Sequence, residues 1–177
     1  MAKKFIILDT ETTGLEVRQG HKIIEIGAVV LNDRKKSSDH FHAYINPGRL
    51  IDEEASKVHG ITNQDLENEP MFAAIADDFI EFIQGSTLII HNAPFDVGFL
   101  NSELKAVSAK YPKLEDICEI EDSLVIARSK FPGQRNSLDA LANRFEVSGY
   151  DRSFHVALLL SLIHISDPTR PYWIAYA

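Results

Sequence analysis

Cysteine is nearly absent from this 177-residue chain: Cys118 stands alone, which excludes an internal disulfide framework and a cysteine-based zinc site. Positive charge is also scarce, with 18 Lys and Arg against 26 Asp and Glu and a formal net charge of −8. That balance weighs against a broad, sequence-independent grip on the nucleic-acid backbone, which needs a basic surface. It leaves room for an enzyme whose own carboxylates hold divalent cations, since those ions bring their charge only when bound. Long apolar runs are missing. No stretch is long enough to cross a membrane, and the apolar run in MAKKFIILDTETTG is too short for a signal peptide. A soluble, cytoplasmic protein with no membrane association is expected. Internal repeats, low-complexity tracts and linkers are absent as well, and the aromatic residues fall at core spacing rather than as a base-stacking platform. Hydrophobic residues make up 45% of the chain, enough for one domain with its own core.

KKFIILDTETTG reads as a short strand over Phe5 to Leu8 running into a polar turn that ends at Gly14. HKIIEIGAVVL reads as a second strand, apolar on both faces, and HFHAYINP as a third, stopped by Pro47. The short links between them favour an antiparallel meander. Helical spacing follows: Phe72, Ile75, Ala76, Phe79 and Ile83 share one face of MFAAIADDFIEFI, and Gly85 ends the helix. A strand over Thr87–His91, a helix over Phe95–Ala109, a weak strand near Ile117–Ile120 and helices over Asp122–Lys130 and Leu138–Phe145 complete the pattern. Three antiparallel strands followed by alternating helices and strands predict one mixed five-stranded α/β sheet flanked by helices.

Chemistry concentrates at strand ends. In LDTETTG, Asp9 and Glu11 lie two apart on a strand, so both side chains project to one face. Carboxylates held that close repel unless a cation sits between them, and an oxygen-only cluster suits magnesium or manganese. The alternative is a solvated strand end. In IIHNAPFDVGFL, Asp96 enters a helix just beyond a second strand end. An aspartate there can simply complement the helix dipole, yet strand ends of α/β sheets are where ligands collect. With Asp9 and Glu11 it can complete a metal cluster. His155 alone reads as an ordinary surface or core residue. Glu25 reads as a structural carboxylate or a neighbour of the cluster, His59 as a substrate contact or a turn cap, and Asp122 and Asp139 as helix starts.

Together LDTETTG, HNAPFDVGFL and FHVALL resemble the three motifs of the DEDDh family of 3′→5′ exonucleases, over nearly all of the chain from Lys4 to Leu159. GHKIIEIGAV, FHAYINPGRLID, KVHGIT, DSLVIARSKFPGQRNSLDAL and YDRSFH are similar to one branch, the epsilon proofreading subunits of bacterial DNA polymerase III. The resemblance implies a ribonuclease H-like fold and removal of mispaired 3′-terminal nucleotides by two-metal phosphodiester hydrolysis with Mg2+ or Mn2+. It implies Asp9, Glu11 and Asp96 as metal ligands and His155 as the general base. It implies Thr12, Thr13, Gly14 and Leu15 as the turn holding the terminal nucleotide, with His59, His91, Asn92 and Phe95 lining the same pocket. The implied partners are single-stranded or frayed 3′ DNA ends, the polymerase III catalytic (alpha) subunit and a small theta-like subunit. Two rival readings are a DEDDh RNA exonuclease of the ribonuclease T or oligoribonuclease kind and a non-catalytic, polymerase-binding scaffold.

The third motif departs from the family, in which His is followed after four residues by Asp; here that position is Leu160. Leucine cannot ligate a metal, so the chain is expected to be severely impaired. From Leu160 onward, LSLIHISDPTRPYWIAYA resembles the translation of a transposon-end sequencing adapter, except that Asp167 stands where Glu is usual. Residues 1–159 are therefore expected to be an exonuclease domain cut short in its last helix, and 160–177 a non-native tail. A natural pseudo-enzyme that lost its aspartate is the competing reading.

Overall fold

FIILDTET forms β1 (Phe5–Thr12), the middle strand of a five-stranded sheet. The computed structural model describes residues 4–32 and 35–145. β2 (Ile23–Asn32) pairs antiparallel with β1 on one side, and β3 (Lys35–Tyr44) pairs antiparallel with β2. On the other side β4 (Thr87–Ile90) runs parallel to β1 and β5 (Glu119–Asp122) parallel to β4, giving the order β3-β2-β1-β4-β5. The helices are α1 (Glu53–His59), α2 (Phe72–Ile83), α3 (Ala93–Val107), α4 (Leu114–Ile117), α5 (Ser123–Lys130) and α6 (Leu138–Arg144). The mixed α/β sheet expected from the sequence is present.

Alternation along β1 sorts its side chains to two cores. Ile6 and Leu8 join Phe72, Ala76 and Phe79 of α2 and Val97, Phe99 and Leu100 of α3. Ile7 faces the opposite way, onto Ala127 of α5 and Leu141 and Ala142 of α6. A central strand covered on both faces must be apolar at successive positions, which is why FIIL shows no alternation.

Several boundaries differ from the sequence expectation for local reasons. β1 continues past Leu8 to Thr12 because β2 keeps pairing with it through Glu11↔Glu25 and Thr12↔Ile23. Ladder pairing thus carries polar residues that hydropathy assigns to a turn. β3 starts at Lys35, ahead of the apolar HFHAY stretch. α3 starts at Ala93 rather than Phe95, since Pro94 is tolerated in a first turn that has no intrahelical acceptor for its missing N–H. β5 lies at Glu119–Asp122, with the short α4 before it. α1 has no sequence signal of its own: EEASKVH buries no residue and carries no apolar stripe.

Candidate active site

β1 outruns its parallel neighbour. The last β1–β4 pair is Ile7↔Ile89, and β4 ends at Ile90, so the β1 backbone beyond Leu8 has no strand beside it on that flank. A side chain from the first turn of α3 fills the gap. Asp96 Oδ1 accepts from the Thr10 backbone N–H at 3.1 Å and from Thr10 Oγ1 at 2.7 Å. Asp96 is thereby buried, at 3% exposure, and pressed toward Asp9.

The charge balance there is unfavourable. Burial, and then the Asp9 carboxylate, push the Asp96 carboxyl from 3.8 up to about 8, against the lowering effect of the Thr10 hydrogen bonds. Burial and Glu25 push Asp9 up to about 6. Asp9 keeps partial solvent access, so a ligand can reach it. Register places Glu11 opposite Glu25 and Asp9 opposite Gly27, so Asp9, Glu11 and Glu25 share one face of the sheet. His42 and Tyr44 of β3 continue the same rows, opposite Gly27 and Glu25. His42 Nε2 lies 2.7 Å from Glu25 Oε1, and Glu25 raises the Tyr44 pKa after burial has done so. Glu25 is thus both hydrogen-bonded and a charge beside Asp9.

No three Asp, Glu, His or Cys side chains already close on a common point among the described residues. The donor chemistry nonetheless fits a hard divalent cation. The oxygens are carboxylate only, two of the groups are held away from their ordinary ionisation by burial and then by a neighbouring carboxylate (Glu25 for Asp9, Asp9 for Asp96), and a cation would relieve both.

The Thr12–Leu15 turn follows directly. Thr12 Oγ1 donates to the Gly14 carbonyl at 2.7 Å, and Thr13 is fully buried. Leu15 is 77% exposed, an apolar side chain held in solvent beside the carboxylates' strand. His59 ends α1 with Nδ1 accepting from the Ile61 N–H at 3.0 Å. Its Nε2 is buried without a hydrogen-bond partner among the described residues. Burial lowers the His59 pKa; the nearby Thr12 backbone favours the charged ring without reaching hydrogen-bond geometry, so burial dominates.

The α3 entrance is fixed by Asp122, whose carboxylate accepts from the backbone N–H groups of Asn92, Ala93 and Leu124. Asn92 takes the left-handed conformation (φ 68°) that lets the chain turn from β4 into α3. His91 turns toward α5: its Nδ1 lies 2.9 Å from Ser123 Oγ, and burial lowers its pKa. Phe95 packs on Phe99 with ring centroids 4.9 Å apart. The structure therefore gathers Asp9, Glu11, Asp96 and the Thr12–Leu15 turn at one end of β1, with His59 beside the turn, while the His91 ring is engaged by Ser123 at the start of α5. His155 and Leu160 lie outside the described residues.

Residues 6–159 match the exonuclease family (RNase_T). The chain belongs to that family. Its exonuclease sequence is 48% identical over 158 residues to "DNA polymerase III subunit epsilon" of Escherichia coli (strain K12), covering 87% of this chain and 65% of that relative. It is 53% identical over 153 residues to the protein of the same name in Rickettsia typhi, covering 86% and 67%. The chain thus spans about two-thirds of the length of these relatives. The ribonuclease H-like exonuclease fold is matched by Exonuclease X in complex with 5′ overhanging duplex DNA (TM-score 0.68, 24% identity, 91% of this chain and 90% of that one). It is matched too by E. coli Exonuclease I in complex with a 5cy-dA13 oligonucleotide (TM-score 0.76, 15% identity, 98% of this chain and 42% of that one).

Two residues of the site escape sequence reasoning. His21 lies inside the GHKIIEIGAV block but follows no period that would mark it, and it proves to be buried against the Thr12–Leu15 turn. Asp52 sits at the start of α1 without a side-chain capping bond, and its carboxylate reaches His21 from 31 positions away (52 − 21). Only tertiary structure joins them.

Proposed function

We propose that this chain carries the exonuclease domain of a proofreading subunit of a bacterial replicative DNA polymerase, hydrolysing the terminal phosphodiester at 3′ DNA ends. The observation that carries this reading is the Asp9–Asp96 pair, two mutually repelling carboxylates set at the end of β1 with an exposed turn beside them. The similarity to epsilon subunits supports the DNA assignment.

Asp9, Glu11 and Asp96 would hold two divalent cations, Mg2+ or Mn2+. Such ions supply acidification of the attacking water and charge neutralisation at the leaving 3′ oxygen. The chain's own groups do the rest. Thr10 fixes Asp96 through two hydrogen bonds to Oδ1, which orients the carboxylate to serve the site. The Thr12–Leu15 turn receives the terminal nucleotide, and exposed Leu15 offers a base an apolar face. His155, by resemblance, accepts the water's proton; an unperturbed imidazole titrates near pH 6.5, suited to that role. A pocket that takes an unpaired end favours mispaired termini, since a correct pair costs more to open. The formal charge of −8 suits delivery of the strand by a partner, here the polymerase's alpha subunit, with a theta-like subunit alongside.

Leu160 stands where the fourth acidic ligand belongs, so the chain as it stands is severely impaired. The family match ends at residue 159, which supports reading 160–177 as a non-native tail. Re-sequencing the source locus checks this: a natural gene that ends in this tail contradicts it.

The function is tested with Leu160→Asp in a chain given a family-like final helix, on single-stranded DNA, RNA and mispaired primer ends. Metal-dependent release of mononucleotides from DNA, faster at mispairs, is the expected result. Preference for RNA would place it with the ribonuclease T or oligoribonuclease kind. No cleavage with any divalent metal would leave a scaffold.

A further inference from the structure

We propose that His21 is a positioning residue for the 3′-terminal nucleotide, acting through the Thr12–Leu15 turn; this rests on the assignment of that turn to DNA above. His21 precedes β2 and is buried to 7% exposure, an uncommon place for a histidine without work to do. Its ring meets the turn in three ways.

First, the ring is the shelf on which Gly14 lies. A Cβ added at Gly14 would stand 2.7 Å from His21 Nε2 and closer still to Cε1 and Nδ1, so no side chain fits between them. Gly14 is needed here for close approach, not for an unusual φ: it is absent from the positive-φ glycines.

Second, His21 Nδ1 lies 3.0 Å from Thr13 Oγ1. That hydroxyl accepts from the Lys22 N–H at 3.0 Å, so its own proton is free to donate to Nδ1. Thr13 is locked on its backbone side as well, its N–H donating to the Lys22 carbonyl at 2.8 Å.

Third, with Nδ1 accepting, Nε2 carries the ring's proton and lies 3.4 Å from Asp52 Oδ2, a charge contact rather than a hydrogen bond. Asp52 in turn donates its backbone N–H to the Thr13 carbonyl at 2.9 Å. The ring therefore closes a circuit Thr13–His21–Asp52–Thr13 around the turn. His21 itself is anchored from behind: Glu103 of α3 accepts from the Ile23 N–H and from Lys22 Nζ, both at 3.2 Å. Helix α3 also carries Asp96, so the nucleotide turn and the metal ligands are referred to one rigid element.

A turn held this way presents Gly14 and Leu15 in one conformation before DNA arrives, which lowers the ordering cost of binding. Loss of the circuit should weaken capture of a 3′ end with little loss of fold. The test uses the full chain, a 5′-fluorescent oligothymidylate with a free 3′ hydroxyl and a non-hydrolysable terminal linkage, and Mg2+. His21→Ala should raise Kd about tenfold, the worth of one or two hydrogen bonds. The melting temperature should stay near that of the parent, while amide exchange should quicken at Lys22 and Asp52, the two that donate to Thr13. His21→Asn, which keeps an acceptor for the Thr13 hydroxyl, should recover part of the affinity. If His21→Ala fails to fold, Gly14→Ala carries the test, because it displaces the turn with the ring in place. Unchanged binding in the variant that folds overturns the proposal. Failure of both the unaltered chain and its Leu160→Asp form with a family-like final helix to bind the oligonucleotide overturns the DNA reading itself, and the proposal with it.

Discussion

Asp9 and Asp96 hold their protons to unusually high pH for carboxyls. Both carboxyls sit above their ordinary value of 3.8, at about 6 and about 8. The metal-free folded chain therefore holds protons that the unfolded chain has released, and its stability should fall as pH rises from about 4 to about 8. A divalent cation displaces those protons, so its affinity should rise over the upper part of that window. Calorimetric Mn2+ titrations at pH 6 and 8, in buffers of different ionisation enthalpy, should show proton release and tighter binding at pH 8; pH-independent binding would refute this. Asp96→Asn can still accept from Thr10, so it should raise the metal-free melting temperature at pH 8 and remove the stabilisation by Mn2+. Glu25 contributes to the Asp9 shift, second only to burial. Glu25→Gln should lower the Asp9 pKa, as read by carboxyl NMR, and an unmoved titration would show that burial alone sets it. Asp9 and Glu11 are legible in the sequence, because strand alternation fixes their common face. The contact of Asp96 with Thr10 is not, because it spans 86 positions and depends on where β4 stops. The sequence leaves Glu25 as a structural carboxylate or a neighbour of the cluster, and only the pairing of β2 with β1 and β3 sets it beside both Asp9 and His42.

At the scale of elements, the site depends on where strands end and helices begin. Asp122 closes β5, caps α5 and holds the Asn92 and Ala93 amides at the entrance to α3. Asp122→Ala frees three backbone donors, in half-buried bonds at Ala93 and Leu124 and an exposed one at Asn92, and should cost about 1–3 kcal/mol in denaturant unfolding, by the usual penalty for lost caps and unpaired amides. Because α3 carries Asp96, metal affinity should fall too; a stability loss with metal binding intact would show that the α3 entrance does not set the ligand geometry. The apolar stripe of α2 was readable from its spacing, and Phe72, Ala76, Phe79 and Ile83 are its buried face. Helix α1 was not readable, because it is fixed by its ends rather than by an apolar face. Strand β1 reads as short because its last residues are polar and are kept in the sheet by β2 pairing alone.

For the molecule as a whole, the sheet order and the two cores bring one end of β1, the start of α3 and the Thr12–Leu15 turn together. The order β3-β2-β1-β4-β5 places the two strands bearing the quoted acidic motifs side by side. A short antiparallel meander is deducible from link lengths, but the parallel placement of β4 beside β1 is not, since nothing in THR-LEU-ILE-ILE names its neighbour. The account's central claim is that these carboxylates serve a 3′-directed, metal-dependent nuclease. Its most direct test is single-turnover digestion of 5′-labelled and 3′-labelled single-stranded DNA by the chain with Leu160→Asp and a family-like final helix, with Mn2+ or with chelator. The account predicts immediate loss of the 3′ label as mononucleotide, a descending ladder from the 5′-labelled strand, and neither in chelator nor in Asp96→Asn. Cleavage that begins at the 5′ end, or that survives chelator or Asp96→Asn, would contradict it.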